Sequence, residues 1–551
     1  MSSTTFYVND KSGVDTSEAT GSESHPFATA SYALFVNPDA KILIYKEIEE
    51  KSDKFEYQEI SASALKKAKK GAESLKKKAE KQQKLKEDKT DDLPKLAELS
   101  LSSINEDSSL PKAKKIKLNK IQDNIDQRVI VSGWIHRLRV QKGLAFITLR
   151  DGYGFLQCIL TGDLAKAKET QELTLESTVT IKGTILKLPE GKSAPGGVEL
   201  KADYYEIIGL APSGEDSFTN KIQEGADPSL LLDQRHLTLR GETLSAVMKV
   251  RSVFLGAIRK VYQEEGLLEV TPPCMVQTQV EGGSTLFKMD YYGEEAYLTQ
   301  SSQLYLETCL PSLGDVYCVQ ESFRAEKSHT RRHLSEYTHI EAELAFLTFD
   351  ELLNHIETLI SKTIKYVIED PVAGPLIKQL NPNFQPPQLP FQRMEYIHAL
   401  DWLNEHGILN DEGEPFKFGD DIAEAQERKM VDTINKPILL IRFPGEIKSF
   451  YMQKCKDDPR VTESVDVLMP NVGEITGGSM RSYDLDELLQ GFKSHGIDPK
   501  PYYWFLDQRI YGTTPHGGYG LGTERILAWL CDRFTVRDCS LYPRFTGRCK
   551  P

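Results

Sequence analysis

The sequence predicts an α+β multidomain protein, and three observations carry that expectation. At 551 residues with 39% hydrophobic residues, the chain is too long for one core and ordinary in composition for a globular protein. Residues 119–212 read as short alternating strands separated by Gly-bearing turns, the pattern of a small barrel. Residues 231–551 open with an amphipathic helix and continue into strands whose side chains sort into one polar and one apolar face.

The first residues, "MSSTTFYVNDKSGVD", have neither a basic nor an apolar leader segment, and no run of eighteen apolar residues occurs, so no membrane partner is expected. Presequences for mitochondria are Arg-rich, whereas the first arginine here is Arg128; a cytoplasmic protein is expected. The 8 cysteines form no C-x-x-C pair, which argues against a zinc ribbon and a disulfide framework. Cys158, Cys309 and Cys318 stand in apolar runs and read as buried thiols.

Residues 1–60 mix aromatic and polar residues densely enough for a small folded module of unread function. Residues 61–118 form an arm and linker. Within it, residues 66–89 hold eleven Lys against four acids, a charge of +7 on a chain of net −13. Ala, Leu, Glu, Gln and Lys favour a helix, here with no wide apolar stripe to bury. Such an arm is either a solvated helix or a grip on a phosphate backbone.

Five strands over residues 119–212 fit a Greek-key barrel of the OB-fold type, whose strand faces bind single-stranded nucleic acid with aromatic and basic side chains. His136, Arg137, Arg139, Lys142, Phe146 and Gln157 supply that mixture. Read alone, a single aromatic in a strand such as Phe146 is core.

After a hinge linker at 213–230, the region 231–551 begins with a helix on which Leu244, Val247, Phe254, Ile258 and Val261 recur at helical spacing. Gly266 stops it, and "LLEVTPP" reads as a strand. "DVYCVQESFRAE" and "YTHIEAELAF" read as strands joined by a polar loop. Period two places Gln320, Ser322 and Arg324 on one face of the first, and His339, Glu341 and Glu343 on one face of the second. A wholly polar sheet face reads as the floor of an active site rather than as a wetted surface. The loop "KSHTRRH" adds Lys327, Arg331, Arg332 and His333, a cationic set suited to a polyphosphate. "GGYGLG" reads as a Gly-rich turn before a helix, and "GEITGGSMR" places Glu474 among glycines that permit close approach of a ligand.

These stretches resemble the ordered motifs of the class II aminoacyl-tRNA synthetases. The Arg324-x-Glu326 strand, basic loop and second acidic strand are similar to motif 2, the helix before "GLLEVTPP" to motif 1, and "GGYGLGTERILAWLCDR" to motif 3. With an N-terminal barrel, the arrangement over residues 119–551 resembles the aspartyl, asparaginyl and lysyl subgroup. The resemblance implies a class II antiparallel sheet flanked by helices, ATP as a substrate, Mg2+, a tRNA partner and a homodimer with Pro273 at its interface. It implies that Arg324 grips the α-phosphate, that Arg332 and His333 hold the outer phosphates, and that Glu326 accepts from the adenine amino group. Tyr337 and Arg525 would stack on the two adenine faces, with Arg324 and Arg525 the catalytic arginines. Glu474, with Asp466 as a weaker candidate, would hold Mg2+. Phe146 would stack on the central anticodon uridine and Gln157 hydrogen-bond it. Glu281 and Gln303 would take the α-amino and α-carboxylate ends of the amino acid.

The subgroup's aspartate enzymes carry Lys where this chain has Leu306 and Asp where it has Glu341. Arg481 offers a donor to a side-chain carbonyl and Glu341 an acceptor to an amide NH2, so the resemblance implies L-asparagine as amino acid and tRNA-Asn as acceptor. One departure stands out: Gly477 occupies a position where the aspartate pattern has a serine. Three alternatives fare worse on the same residues: an aspartate ligase would carry a cation where Leu306 stands, a tRNA-independent asparagine synthetase would have no need of the barrel, and a noncatalytic RNA-binding relative would be expected to lose Arg324, Arg525 or Glu474, all of which are present.

Overall fold

The computed structural model describes residues 4–47, 55–91 and 104–551, except 11, 17, 18, 142, 224 and 281–285. Lys142 and Glu281 therefore lie outside the described residues. The chain divides into two compact units, Met1–Lys221 and Ile222–Pro551, and the break falls within the stretch read as a hinge linker.

In the first unit, β1 (Thr5–Val8), α1 (Ala30–Val36), β2 (Lys41–Glu47) and β3 (Phe55–Glu59) are followed by α2 (Ala62–Asp91). β1 and β2 pair in parallel and β2 and β3 antiparallel, over a core of Phe6, Phe27, Leu34 and Ile42. The Lys-rich helix does have something to bury: Ala68 is buried in this core, with Leu65 and Ala72 packed beside it. Gly71 lets α2 come so close to α1 that a Cβ there would lie 2.3 Å from Ser31 Oγ. The small apolar residues that make the contact carry little periodic signal in sequence, which is why the arm reads as unanchored.

The barrel is built from β4 (Lys114–Lys115), β5 (Arg128–Gln141), β6 (Leu144–Arg150), β7 (Phe155–Thr161), β8 (Thr178–Lys187) and β9 (Val198–Gly209). Its order is β4-β5-β6-β7-β9-β8, and β8 also pairs with β5, closing the five long strands. Alternation sends Ala145, Ile147 and Leu149 inward, with Leu156, Cys158 and Leu160 opposite them. Phe146 is therefore not core. It stands half-exposed on the outer face, paired with Arg139 across β5. On that same face Thr148 pairs with Gln157, and Gln157 Nε2 donates to Glu199 Oε2 at 3.1 Å.

The second unit runs α3 (Glu242–Glu265), β10 (Leu268–Glu269), β11 (Met275–Val276), β12 (Lys288–Tyr291), β13 (Glu294–Leu298), α4 (Gln303–Leu313), β14 (Val316–Phe323), β15 (Glu336–Ala345), α5 (Phe349–Glu369) and β16 (Gln392–Glu395). It continues with α6 (Glu424–Ile434), β17 (Ile438–Ile441), β18 (Ser464–Met469), β19 (Gly473–Met480), β20 (His516–Gly522) and α7 (Thr523–Leu530). Eight strands form one sheet in the order β10-β14-β15-β20-β19-β18-β17-β16, antiparallel except at its two edges. α3 buries the predicted Val247, Phe254, Ile258 and Val261, and Gly266 caps it at φ 84°, a left-handed conformation that glycine adopts without strain. Together with α5 and α7 it covers the apolar sheet face, where Ile340, Val467, Ile475 and Leu521 meet Ile356 and Ile526. Two expectations change. "LLEVTPP" supplies only the two-residue β10, and "GGYGLG" is not a turn but part of β20, paired on both sides by β15 and β19.

The closed barrel makes one stability prediction. Ile147 is fully buried, so Ile147→Ala should cost ~2–5 kcal/mol of unfolding free energy through lost transfer energy and the cavity left behind. Denaturant unfolding of the variant checks it; a loss below ~0.5 kcal/mol would contradict the packing.

Candidate active site

The floor is a band of sheet on which side chains alternate with bare backbone. One row crosses five strands as Cys318, Glu341, Gly520, Gly477 and Asp466; its neighbour runs Val316, Glu343, Gly518, Ser479 and Ser464. The glycines are required by their neighbours. A Cβ on Gly520 would lie 2.3 Å from His339 Nε2, and one on Gly518 2.2 Å from Glu343 Oε1. A glycine strand thus leaves room for long polar side chains from β15. β19 adds a bulge: Val467 pairs with Thr476 but Leu468 with Glu474, leaving Ile475 without a cross-strand partner. The bulge turns Glu474 to the same face as Gly477 despite their odd spacing. Above this floor opens a cavity of about 560 Å³ whose walls include Gln303, Arg324, Arg332, His333, Tyr337, Glu341, Asp466, Glu474, Arg481 and Arg525.

At one end the N-terminus of α4 faces β15. Glu341 accepts from the Ser301 hydroxyl and, at 2.9 Å, from the Ser302 backbone N–H. Arg481 is anchored to the floor by three of its five N–H donors: Nε and Nη2 donate to Glu343, Nε at 3.0 Å, and Nη1 donates to Ser479 Oγ at 2.7 Å. One N–H on each terminal nitrogen is left over. Burial lifts the Glu343 carboxyl to about 7 against the opposing pull of Arg481, with Glu307 adding to the rise. Beneath lies a second set of charges. Glu307 accepts from Gln303 Nε2 at 3.0 Å, Arg509 Nη2 at 2.6 Å and His516 Nε2 at 2.8 Å. Glu307, Glu343 and His516 bring ligand atoms within 4.8 Å of one another, yet the guanidinium groups of Arg481 and Arg509 already occupy these carboxylates, so the cluster is an ion-pair lattice. Leu306 does not line the cavity. It is buried against Leu310, Val316 and Cys318, and Cys318 Sγ lies 4.0 Å from Glu341 Oε2.

At the other end cations dominate. Arg525 Nη1 donates to Glu474 Oε2 at 2.9 Å. Arg332 Nη2 donates to the Glu474 carbonyl at 2.9 Å, and its Nη1 lies 3.5 Å from Glu424 and 3.9 Å from Glu427, both on α6. Burial raises Glu474, but Arg525, then Arg332, Lys448 and Arg324, outweigh it and hold the carboxyl down at about 2. Asp466 goes the other way, to about 6, because burial and the Glu474 charge exceed the help of Lys448, whose Nζ sits 2.7 Å from Asp466 Oδ2. Burial, then Arg525, lowers His333. The Arg324 guanidinium stands 5.6 Å from the centre of the Tyr337 ring.

Of the sequence-predicted residues, Glu326 falls outside the main cavity. It lies in a small adjoining recess with Arg324 and His333, its Oε2 3.8 Å from His333 Nε2. Pro273 is an exposed residue beyond β10. Cys158 and Cys318 are buried, whereas Cys309 is only half-buried. Sequence reading missed Glu307, Glu427, Lys448, Arg509 and His516. Only Glu307 carried a local signal, being four residues beyond Gln303 on one helix.

Glu427 yields a pH prediction. Burial, then Glu474, lifts its carboxyl from 4.5 to about 8, against Arg332. A raised folded-state value means the folded chain holds more protons, so this group's contribution is full below about 4.5 and lost as pH rises through about 8. Denaturant unfolding between pH 5 and 8 should show a stability loss for the wild type that Glu427→Gln lacks; parallel profiles would refute it.

Comparison with known proteins places this geometry. The family model described as "tRNA synthetases class II (D, K and N)" matches residues 227–546, that of the OB-fold nucleic acid binding domain residues 129–208, and that of the "Asparaginal-tRNA synthetase, N-terminal domain" residues 22–111. The cytoplasmic asparagine–tRNA ligase of Debaryomyces hansenii is 78% identical over 99% of both chains. That of Homo sapiens is 51% identical, again over 99% of both chains. Among solved structures, Entamoeba histolytica asparaginyl-tRNA synthetase in complex with asparaginyl-adenylate superposes with a TM-score of 0.76 at 40% identity, covering 80% of this chain and 100% of that one. The chain therefore belongs to the class II tRNA synthetases, in their D, K and N group, alongside the cytoplasmic asparagine–tRNA ligases.

Proposed function

We propose that this chain activates L-asparagine with ATP to asparaginyl-adenylate and pyrophosphate, then transfers asparagine to the 3′-terminal ribose hydroxyl of tRNA-Asn, in the cytoplasm. The observation that carries the reading is full-length identity of 78% to an asparagine–tRNA ligase, joined to a cavity with a carboxylate and an arginine at one end and guanidinium groups at the other.

In the first step a carboxylate oxygen of asparagine attacks the α-phosphorus and the bond to pyrophosphate breaks. Negative charge grows on the phosphoryl oxygens, where Arg324 would act; Arg332 and His333 would take the outer phosphates, and Arg525 and Tyr337 the adenine. Preorganised positive charge and positioning suffice, with no protein nucleophile. Glu326 reaches the adenine amino group only from the recess beside Arg324. Mg2+ fits at Glu474 and Asp466: a Cβ on Gly477 would lie 3.4 Å from Glu474 Oε1 and 3.5 Å from Asp466 Oδ1, so the missing side chain leaves an oxygen-flanked cradle. Once bound there it would neutralise phosphate charge.

At the other end the leftover N–H groups of Arg481 would meet the side-chain carbonyl of asparagine and Glu341 its amide NH2. An aspartate carboxylate facing Glu341 is repelled. Gln303, and Glu281 by resemblance, would hold the amino-acid backbone. The outward Phe146 and Gln157 would read the central anticodon base, and the Lys-rich α2 would add a salt-sensitive grip on the tRNA backbone. A homodimer with Pro273 at its interface completes the reading, supported by exposed Leu268 and Met275 beside it.

The test is charging of tRNA-Asn with labelled asparagine against tRNA-Asp as control; charging of tRNA-Asp, or of neither, would refute the assignment. Glu341→Gln should lower the asparagine-to-aspartate ratio of kcat/KM by ~10-fold or more, because a buried polar mismatch costs ~1–3 kcal/mol. Arg324→Ala should reduce kcat of ATP–pyrophosphate exchange by ~100-fold or more; an unchanged kcat would remove Arg324 from the chemistry.

A further inference from the structure

Glu307 has no place in the chemistry above, yet it sits at the centre of the charges beneath the cavity. Its side chain and that of Arg509 are 0% exposed, so bulk solvent reaches neither. The two carboxylate oxygens divide their work. Oε2 takes Arg509 Nη2 at 2.6 Å and His516 Nε2 at 2.8 Å, which ties together two segments far away in sequence. Oε1 takes Gln303 Nε2 at 3.0 Å. Arg509 does not need this oxygen, since its Nε already donates to the Ser482 carbonyl at 3.1 Å.

The asymmetry matters because an amide can present either end. Burial alone would raise the Glu307 carboxyl, but Arg509, then His516 and Arg481, outweigh it and hold it well below the usual carboxylate range. An ionised carboxylate accepts and cannot donate. Gln303 must therefore turn its NH2 down toward Glu307, and its carbonyl oxygen is the end left for the cavity it lines.

We propose that Glu307 is a positioning residue for amino-acid recognition: it holds the Gln303 amide so that the carbonyl oxygen faces the cavity and receives the substrate's α-ammonium group. This deepens the functional reading above and rests on it. It also revises the role that resemblance gave Gln303, moving it from the α-carboxylate end to the α-amino end. Arg509 and His516 act one step further back, fixing the carboxylate that fixes the amide.

The test compares two ligands of the full-length chain by calorimetry. L-Asparagine carries the ammonium group; succinamate keeps the amide side chain and the carboxylate but lacks it. Glu307→Gln preserves shape while allowing residue 307 to present either amide end. Asparagine binding should weaken ~10-fold and succinamate binding change by less than ~2-fold, since only the ammonium contact is lost. Should the variant not fold, Gln303→Met, with Glu307 intact, is expected to show the same selective loss. Equal weakening of both ligands, or no change in their ratio, would overturn the assignment. A wild-type chain that binds neither ligand would overturn the functional reading and the assignment with it.

Discussion

Buried charge is the constraint on which this site depends. Arg481 and Glu343 lie face to face with side chains 4% and 1% exposed, and Arg509 and Glu307 are fully sealed. Such pairs need not add net stability, because desolvation offsets much of their attraction, but removing one partner strands the other at a cost of ~3–5 kcal/mol. The lattice therefore tolerates few arrangements. Glu343 must be met by Arg481, which also lines the cavity, and Glu307 must be met by Arg509 and His516.

A second constraint is steric. Side chains as long as Glu343 and His339 on one strand leave no space for side chains beside them on the next, and β20 answers with Gly518 and Gly520. The bare strand allows a flat ligand to rest against backbone between the acidic end and the cationic end. The glycine strand leads directly into α7, which carries Arg525. Arg251 of α3 locks that junction, donating to Glu524 Oε1 at 2.7 Å and to Thr338 Oγ1 at 2.5 Å. The helix on the apolar face is thus tied to both the second polar strand and the arginine-bearing helix.

Much of this was legible in the sequence where local period or residue chemistry carries the signal. Period two placed His339, Glu341 and Glu343 on one face, helical period placed Val247, Phe254 and Val261 in the core, and the basic loop does bring Arg332 and His333 to the cavity wall. What escaped was whatever depends on distant segments meeting. Arg509 and His516 lie some two hundred residues from Glu307, so no local pattern joins them. "GGYGLG" misled because glycine favours turns in isolation, and only the bulk of neighbouring strands makes it a strand here. Phe146 misled in the opposite direction: aromatics usually mark cores, but its barrel interior was already filled by Ala145 and Ile147. Leu306, read as a determinant of the amino acid, packs with Leu310, Val316 and Cys318 rather than at the cavity wall, a placement set by the sheet beneath its helix and not by its own neighbours in sequence.

If the charges of Glu341 and Arg481 select an amide rather than an acid, asparagine and not aspartate should be activated. Amino-acid-dependent ATP–pyrophosphate exchange, run with the full-length chain across all twenty amino acids, tests it most directly. Exchange supported by asparagine alone is the predicted result. Exchange with aspartate, or with none of the twenty, would contradict the account.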